Sequence, residues 1–299
     1  MVETPSAASY TGLALNAARR RLIPVLAAHG IEDPEREARL LIEIATGLAP
    51  ERILLEAARA LTPDEAGALS RAIQRRCSDE PISRIRGSRE FYGRTFQVTP
   101  DVLDPRPDTE TVVDQVLQWS DETGGRSEPL RILDVGTGSG CLLVTLLAEL
   151  PAATGLGTDI SPAALEVARA NAERHGVAER ARFALHRSLD GIEGPFDVLV
   201  SNPPYIPSGQ IAGLEQGVRK FDPLSALDGG PDGLAVYRQL AQNAAAIVPS
   251  GWIVLEVGAG QDEDVARLFQ DALGARVKRI VVKPDLGGHR RCVALLTHS

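Results

Sequence analysis

The chain of 299 residues has only three cysteines, at 77, 141 and 292, with no CxxC spacing among them. That scarcity excludes a disulfide framework and a cysteine zinc site, and it fits a reducing compartment. Histidine is also scarce: the five, at 29, 175, 186, 289 and 298, share no ligand spacing, so no metal site is expected. No apolar run approaches the ~18 residues that a bilayer requires. The opening "MVETPSAASYTGLALNAARRR" sets its arginines after a short apolar stretch and not before it, against the order of a secretory signal. Positive charge is in deficit, 32 basic against 40 acidic residues for a net of -8, which argues against a general polyanion binder. The expectation is a soluble, cytoplasmic protein, 43% hydrophobic and 24% charged, long enough for two domains.

Helix punctuation dominates residues 1–86. In "DPEREARLLIEIATG", Asp33 is placed to cap, Pro34 takes the first helical position and Gly47 ends the run. Thr62 and Pro63 open "TPDEAGALSRAIQRRC" by the same logic. This stretch reads as a small helical bundle. Residues 87–107 follow as a connector: "SREFYGRTFQV" is a hairpin of two short β segments around Tyr92 and Gly93, and the Pro-rich "TPDVLDPRPDTE" begins after it.

From residue 108 to 299 the pattern alternates. Near-continuous apolar strands at "LRILDVG", "TGLGTDI", "ARFALH", "FDVLVSN" and "GWIVLEVG" interleave with helical runs, and "RVKRIVV" and "RCVALL" follow across a short loop. Strands apolar throughout and separated by helices predict an α/β fold: a seven-stranded, mostly parallel sheet with helices on both faces and an antiparallel closing pair.

The first of these strands ends in "LDVGTGSG". Gly136, Gly138 and Gly140, with Thr137 and Ser139 between them, let the backbone turn through positive φ and approach a ligand with no Cβ in the way. Asp159 closes the next strand 19 residues after Gly140, where a carboxylate accepts both hydroxyls of a ribose. That spacing suits a dinucleotide or S-adenosylmethionine. The glycines separate the two, because a dinucleotide loop reads GxGxxG and here the third glycine comes one residue early. A GxGxG loop preceded by an acidic residue resembles the first motif of class I methyltransferases, and that resemblance makes S-adenosylmethionine the expected cofactor.

"FDVLVSNPPYIPS", residues 196–208, bears on the reaction. "FDVLV" reads as a buried strand, so Asn202 falls at the carboxyl edge of the sheet, where open α/β sheets bind ligands. Pro203 drives Asn202 out of the helical region, and neither Pro203 nor Pro204 has an N–H. The loop becomes a patch of acceptors, its carbonyls joined by the Asn202 side-chain oxygen. Two fixed acceptors suit a planar nitrogen carrying two hydrogens, in a carboxamide or an exocyclic aromatic amine. Such a nitrogen is a poor nucleophile because its lone pair is delocalised. Holding both hydrogens pushes it toward tetrahedral geometry and frees the pair for in-line attack on a sulfonium methyl, a positioning effect that reaches ~7–11 kcal/mol in well-oriented reactions. Tyr205 is expected to pack its ring on the flat substrate group, and no His or Cys nucleophile is needed.

With these two motifs on one sheet, the chain resembles the HemK/PrmC family of release-factor glutamine methyltransferases. "LDVGTGSGC" and "NPPY" carry the likeness, and "EFYGRTFQVTPDVLDPRPDTE", "FDPLSALDGGPDGLAVYRQ", "LEVGAGQ" and "REARLLIE" extend it over most of the chain. The resemblance implies a class I, Rossmann-like methyltransferase domain behind a helical substrate-recognition domain. It implies transfer of methyl from S-adenosylmethionine to N5 of the Gln in the Gly-Gly-Gln loop of peptide chain release factors. It also implies a monomer, with no membrane and no stable nucleic-acid partner. By motif match it puts the catalytic residues on Asn202, Pro203 and Tyr205 and the substrate contacts on these and Pro204. Cofactor contacts fall on Gly136, Thr137, Gly138, Ser139, Gly140, Asp159 and Asn202. Two places depart from the family pattern. Asp104 stands where an apolar residue is usual, and "HRSLDG" follows the third strand where relatives show an acidic residue and an aromatic. An ungapped alignment gives those adenine contacts to Arg187 and Ser188, and a shift of one or two residues gives them to Leu189 and Asp190.

The same chemistry serves a nucleic-acid amine, since Asn/Asp-Pro-Pro-Tyr/Phe motifs also resemble adenine N6-methyltransferases of RNA or DNA. Arginines 71, 75, 76, 84, 86, 89 and 94 against Asp79, Glu80 and Glu90 leave a local excess of four positive charges. Such a patch suits RNA, a release-factor surface, or simply a solvated helix face. A catalytically silent, release-factor-binding adaptor is hard to reconcile with an intact glycine loop and NPPY. Trp119 and Trp252 read as packing residues, and Glu256, ending the fifth strand, either reaches the cofactor side of the cleft behind the site or has no part in it.

Overall fold

The computed structural model describes residues 6–298 apart from 188, 190 and 286, in two units, Met1–Gly87 and Ser88–Ser299. The first is helical: α1 (Leu15–Ala28), α2 (Pro34–Thr46), α3 (Pro50–Leu55), α4 (Pro63–Arg76) and α5 (Ile82–Arg86). Prolines open α2, α3 and α4, where a missing N–H costs nothing because the first turn has no partner for it. Asp33 accepts from the Arg36 N–H at 3.1 Å, and Gly47 ends α2 at φ 66°. Thr62 and Glu65 close a reciprocal capping box at the start of α4. The helices bury their apolar faces on one another through Leu15, Leu22, Leu26, Leu41, Ile42, Leu69 and Ile73. The arginine-rich stretch is largely paired internally. Arg75 meets Glu80, Arg76 meets Glu37, Arg86 meets Glu43, and Arg84 is buried.

The second unit opens with a hairpin of β1 (Ser88–Phe91) and β2 (Arg94–Gln97). Tyr92 and Gly93 turn it at φ 50° and 68°, the handedness that matches the twist of the flanking strands. There follow α6 (Glu110–Thr123), β3 (Arg131–Val135), α7 (Cys141–Glu149), β4 (Thr154–Asp159), α8 (Pro162–Arg174), β5 (Ala181–Leu185) and β6 (Val198–Ser201). After these come α9 (Gln216–Phe221), α10 (Ala235–Ile247), β7 (Gly251–Glu256), α11 (Asp262–Leu273), β8 (Val277–Pro284) and β9 (Arg290–Thr297). The larger sheet has seven strands in the order β5-β4-β3-β6-β7-β9-β8, and β9 alone runs against the rest. The expected antiparallel closing pair is present, with β9 inserted between β7 and β8.

Helices on both faces explain why the strands are apolar throughout. Val198, Val200, Trp252 and Val254 face one core with Val112, Val116, Leu143 and Leu147 of α6 and α7. Their alternates Leu199, Ile253 and Leu255 face the other, with Leu240, Val265 and Phe269 of α10 and α11. Trp119 and Trp252 pack together, ring centroids 5.9 Å apart. The strand order reverses at β3: the chain runs outward through β4 and β5, then returns to lay β6 on the other side of β3. Loops leaving the carboxyl ends of β3 and β6 therefore diverge and open a crevice, the place where such sheets bind ligands.

Candidate active site

At that crevice lies a cavity of about 630 Å³. Residues 136–139 after β3, 159–161 after β4 and 202–204 after β6 form its walls, with Val102, Pro105 and Thr109 from the segment after the hairpin. Three separate strand ends thus bring together most of the residues the motifs singled out.

In the glycine loop, Gly136, Gly138 and Gly140 sit at φ 73°, 53° and 79°. A Cβ added at Gly136 or Gly138 would meet no atom closer than 4.0 Å, so the backbone there borders open space. Gly140 differs: it is not part of the cavity wall, and a Cβ would press on Ala168 at 3.2 Å, so its smallness serves helix packing. The Gly138 N–H donates to Asp159 Oδ2 at 2.9 Å, and the Ser161 N–H donates to Oδ1 at 2.9 Å. These bonds fix the carboxylate and leave each oxygen acceptor capacity for a diol. Beneath the loop, buried Asp134 accepts from the Thr137 hydroxyl at 2.7 Å, and burial pushes its pKa up to about 7.

Asn202 directly follows β6, and its side-chain amide is set by one contact. Nδ2 donates to Thr109 Oγ1 at 3.1 Å, and no donor among the described residues reaches Oδ1. Pro203 and Pro204 line the cavity beside it and bring no N–H. Tyr205 is placed otherwise than expected, because it is absent from the wall. Its ring lies beside Gly258, its carbonyl accepts from Gln261 Nε2 at 3.0 Å, and its hydroxyl turns to Glu256 Oε1 at 3.4 Å. Burial raises the Tyr205 pKa, and the neighbouring Glu256 carboxyl adds to the effect. Glu256 is itself buried behind the loop and is absent from the cavity wall, so of the two readings open for it a direct place on the cofactor side is not the one seen. Desolvation lifts its pKa to about 7 against the opposing hydrogen bonds of the Thr109 and Tyr205 hydroxyls.

His186 and the exposed Arg187 line the cavity next to Asp159, whose carbonyl accepts from the His186 N–H at 3.0 Å. Ser188, the residue expected at the adenine, and Asp190 lie outside the described residues. Leu189 is buried in the core with Ile192 and Phe196. Asp104, the departure from the family pattern, is buried in a charged cluster. Its N–H donates to Asp222 at 3.4 Å, its carboxylate lies 3.9 Å from Arg89, and Asp222 pairs with Arg106 at 2.8 Å. An acid is tolerated there because two guanidinium groups neutralise the pair.

Two family models match, one described as the PrmC N-terminal domain over residues 17–87 and one as the Methyltransferase small domain over residues 123–214. A release factor glutamine methyltransferase of Rhodospirillum rubrum is 47% identical over 290 residues, which cover 97% of this chain and 87% of that protein. Another, of Bradyrhizobium diazoefficiens, is 44% identical over 286 residues, 95% of each. This chain belongs to the release factor glutamine methyltransferase family. Among solved structures, the N-terminal domain of human METTL16 in complex with SAH superposes with a TM-score of 0.51 at 16% identity. That match covers 70% of this chain and 77% of the other, and it is a likeness of fold.

The methyl donor of this glutamine methyltransferase is S-adenosylmethionine, and the residues fit it. Asp159 has acceptor capacity for ribose hydroxyls, the loop at Gly136 and Gly138 borders open space, and Leu142, Ile160 and Ala164 give an apolar wall. Sequence reasoning missed three contributors to the methyltransferase site. Thr109, inside the quoted "RPDTE" block, reaches Asn202 across 93 residues of chain, and nothing local marks it as the partner of a distant strand end. Gln261 holds the Tyr205 carbonyl, and Gly233 makes room for it. The quoted "GGPDG" and "EVGAGQ" blocks were the available signal, since glycines that close together outside a turn imply a backbone passing near.

Proposed function

We infer that this enzyme transfers the methyl group of S-adenosylmethionine to the side-chain amide nitrogen of the glutamine in the Gly-Gly-Gln loop of peptide chain release factors. The observation that carries the reading is Asn202, whose Nδ2 is engaged by Thr109 while Oδ1 has no donor among the described residues, beside two prolines that contribute no N–H. S-Adenosylmethionine supplies a methyl on a positively charged sulfur, which makes that methyl electrophilic and its carrier a good leaving group. The loop at residues 136–139 and the Asp159 carboxylate hold the donor. Asn202 Oδ1 and the Pro203 carbonyl each accept one hydrogen of the substrate carboxamide. With both hydrogens held, the amide nitrogen is pushed toward tetrahedral geometry, and its lone pair leaves conjugation with the carbonyl and becomes free to attack the methyl. These contacts strengthen as the nitrogen becomes tetrahedral, so they favour the transition state over the ground state. The nitrogen's surplus proton leaves after methylation, when it is strongly acidic, and no side-chain base is required.

The helical Met1–Gly87 unit grips the body of the release factor in this reading, and the enzyme works as a cytoplasmic monomer. Internal pairing of Arg75, Arg76 and Arg86 supports a protein partner over RNA, because charges already neutralised release few counterions from a phosphate backbone. Among the described residues no helix is long and apolar enough to cross a membrane. The test is transfer of label from S-adenosylmethionine to purified release factor, to the same factor with its loop glutamine changed to alanine, and to bulk RNA and DNA. Label on the unaltered factor alone is expected; label on nucleic acid alone would overturn the substrate.

A further inference from the structure

Thr109 and Glu256 do not touch the substrate in the scheme above, yet both are buried directly behind Asn202 and its loop. The Asn202 amide has two ends of nearly equal size, and only the oxygen accepts from a substrate amide. Rotated by half a turn, it would present N–H groups to N–H groups and repel the nucleophile. A carboxamide at the end of a strand has no steric reason to choose between the two. The choice is made by Thr109, whose Oγ1 accepts from Nδ2 at 3.1 Å. A hydroxyl does this reliably only if its own proton is committed elsewhere, since a free hydroxyl proton would bond Oδ1 equally well. The buried Glu256 carboxyl, with one oxygen still lacking a donor among the described residues, is able to take that proton. One of its oxygens receives the Tyr205 hydroxyl at 3.4 Å, the other is buried with no hydrogen-bond partner among the described residues, and the Thr109 hydroxyl is near enough to favour the ionised carboxyl.

We propose that Thr109 and Glu256 are positioning residues that lock the Asn202 amide with its oxygen toward the substrate, through a one-way hydrogen-bond chain from Asn202 to Thr109 to the ionised carboxylate. The proposal rests on the methyl-transfer reading above. An ionised Glu256 can only accept, which forces Thr109 to donate to it and accept from Asn202. Once protonated, Glu256 can donate to Thr109 and reverse the chain. Thr109 then offers a proton to Asn202, and the oxygen turns inward. The groups facing Glu256 are the Thr109 and Tyr205 hydroxyls, Asp108, Arg291, Cys141 at the start of α7 and Cys292, its cross-strand partner on β9. Its backbone carbonyl is held by the Tyr237 hydroxyl at 2.7 Å. Burial is the largest influence and favours the protonated acid, so the switch falls within reach of neutral pH.

The test compares Thr109→Val, Thr109→Ser and Glu256→Gln with wild type, reading kcat and KM for purified release factor across pH 5.5–8.5 and S-adenosylmethionine affinity by calorimetry. Thr109→Val should lose roughly 10²-fold in kcat, the cost typical of a reacting group misplaced by about 1 Å. Thr109→Ser should recover most of that loss, and the affinity for S-adenosylmethionine should not change in either. Wild-type kcat should fall on the acid side of about pH 7, and Glu256→Gln should be slow and flat across the range. Wild-type kcat in Thr109→Val would overturn the proposal. So would equal losses in the valine and serine variants, which would mark a packing role, or a loss of cofactor affinity in step with kcat. A wild-type enzyme that leaves release factor unlabelled in the same assay would instead overturn the substrate reading on which the proposal stands.

Discussion

The carbonyl oxygen of Tyr205 lies where a Cβ on Gly233 would come within 2.3 Å of it, and Gln261 Nε2 donates to the same oxygen at 3.0 Å. The substrate loop is thus held from one side by a side-chain amide and from the other by a bare backbone. Gly229 repeats the arrangement, with a Cβ position 2.7 Å from the Pro204 carbonyl, and its N–H donates to Ile206 at 2.9 Å. The glycines after α9 are there so that two chain segments can run at backbone contact.

Gly233→Ala should therefore displace Tyr205 and loosen the NPPY loop. A residue at φ 77° with a backbone clash costs of order 1–3 kcal/mol, read as a lowered melting temperature. Turnover should fall while S-adenosylmethionine affinity holds, since the glycine loop is untouched. Wild-type melting and turnover together would show that the contact relaxes freely.

Asn202→Ala removes one acceptor that works hardest in the transition state. We expect kcat to drop by roughly 10²–10³, the usual cost of deleting one such group, with far less change in cofactor affinity. Equal activity in the alanine variant would defeat the two-acceptor scheme.

Gly138→Ala should act on the other half of the site. Its φ of 53° makes a side chain unfavourable by roughly 1 kcal/mol, but no protein atom lies within contact of the new Cβ. The methyl would occupy space bordering the cavity, so the expected result is weaker S-adenosylmethionine binding by calorimetry with little loss of fold stability. Unchanged affinity would remove this loop from the donor site.

Asp134 ties stability to pH. Burial pushes its pKa up to about 7 from the 3.8 of a free carboxyl, so between these values the folded chain holds a proton that the unfolded chain has lost. Its contribution is complete below pH 3.8 and is lost as pH rises through about 7, at up to ~1.4 kcal/mol per pH unit. Urea unfolding of wild type and Asp134→Asn at pH 4.5, 5.5 and 6.5 should show the variant gaining on wild type at each step. A constant difference would mean that the carboxyl is ionised in the folded protein.

Much of this molecule could be read before its structure. Val198, Leu199 and Val200 are all apolar because consecutive side chains enter opposite cores, and that run identifies a strand covered on both faces. Asp33 and Thr62 announce helix starts by chemistry contained in four consecutive residues. The glycine loop, Asp159 and Asn202 meet at one cavity because motif and strand end are adjacent in sequence, and parallel topology gathers the strand ends. What escaped reading depends on long-range approach. Thr109 acquires its meaning only from Asn202, and Glu256 its partner only from Tyr205, pairings that no local pattern links. Tyr205 turns inward because Gly258 leaves space for its ring, a fact about a loop 53 residues further on (258 − 205).

The place of β9 in the sheet has a consequence for the nascent chain. As synthesis proceeds, β7 and β8 both leave the ribosome before the strand that joins them. The edge of β7, every residue of which is buried in the finished fold, stays without a neighbour while the chain is extended from Glu256 to Arg290. A bare apolar strand edge is a template for other chains. This interval is the one in which the polypeptide most needs protection from its own kind, and it ends when a single reversed strand slides into the gap.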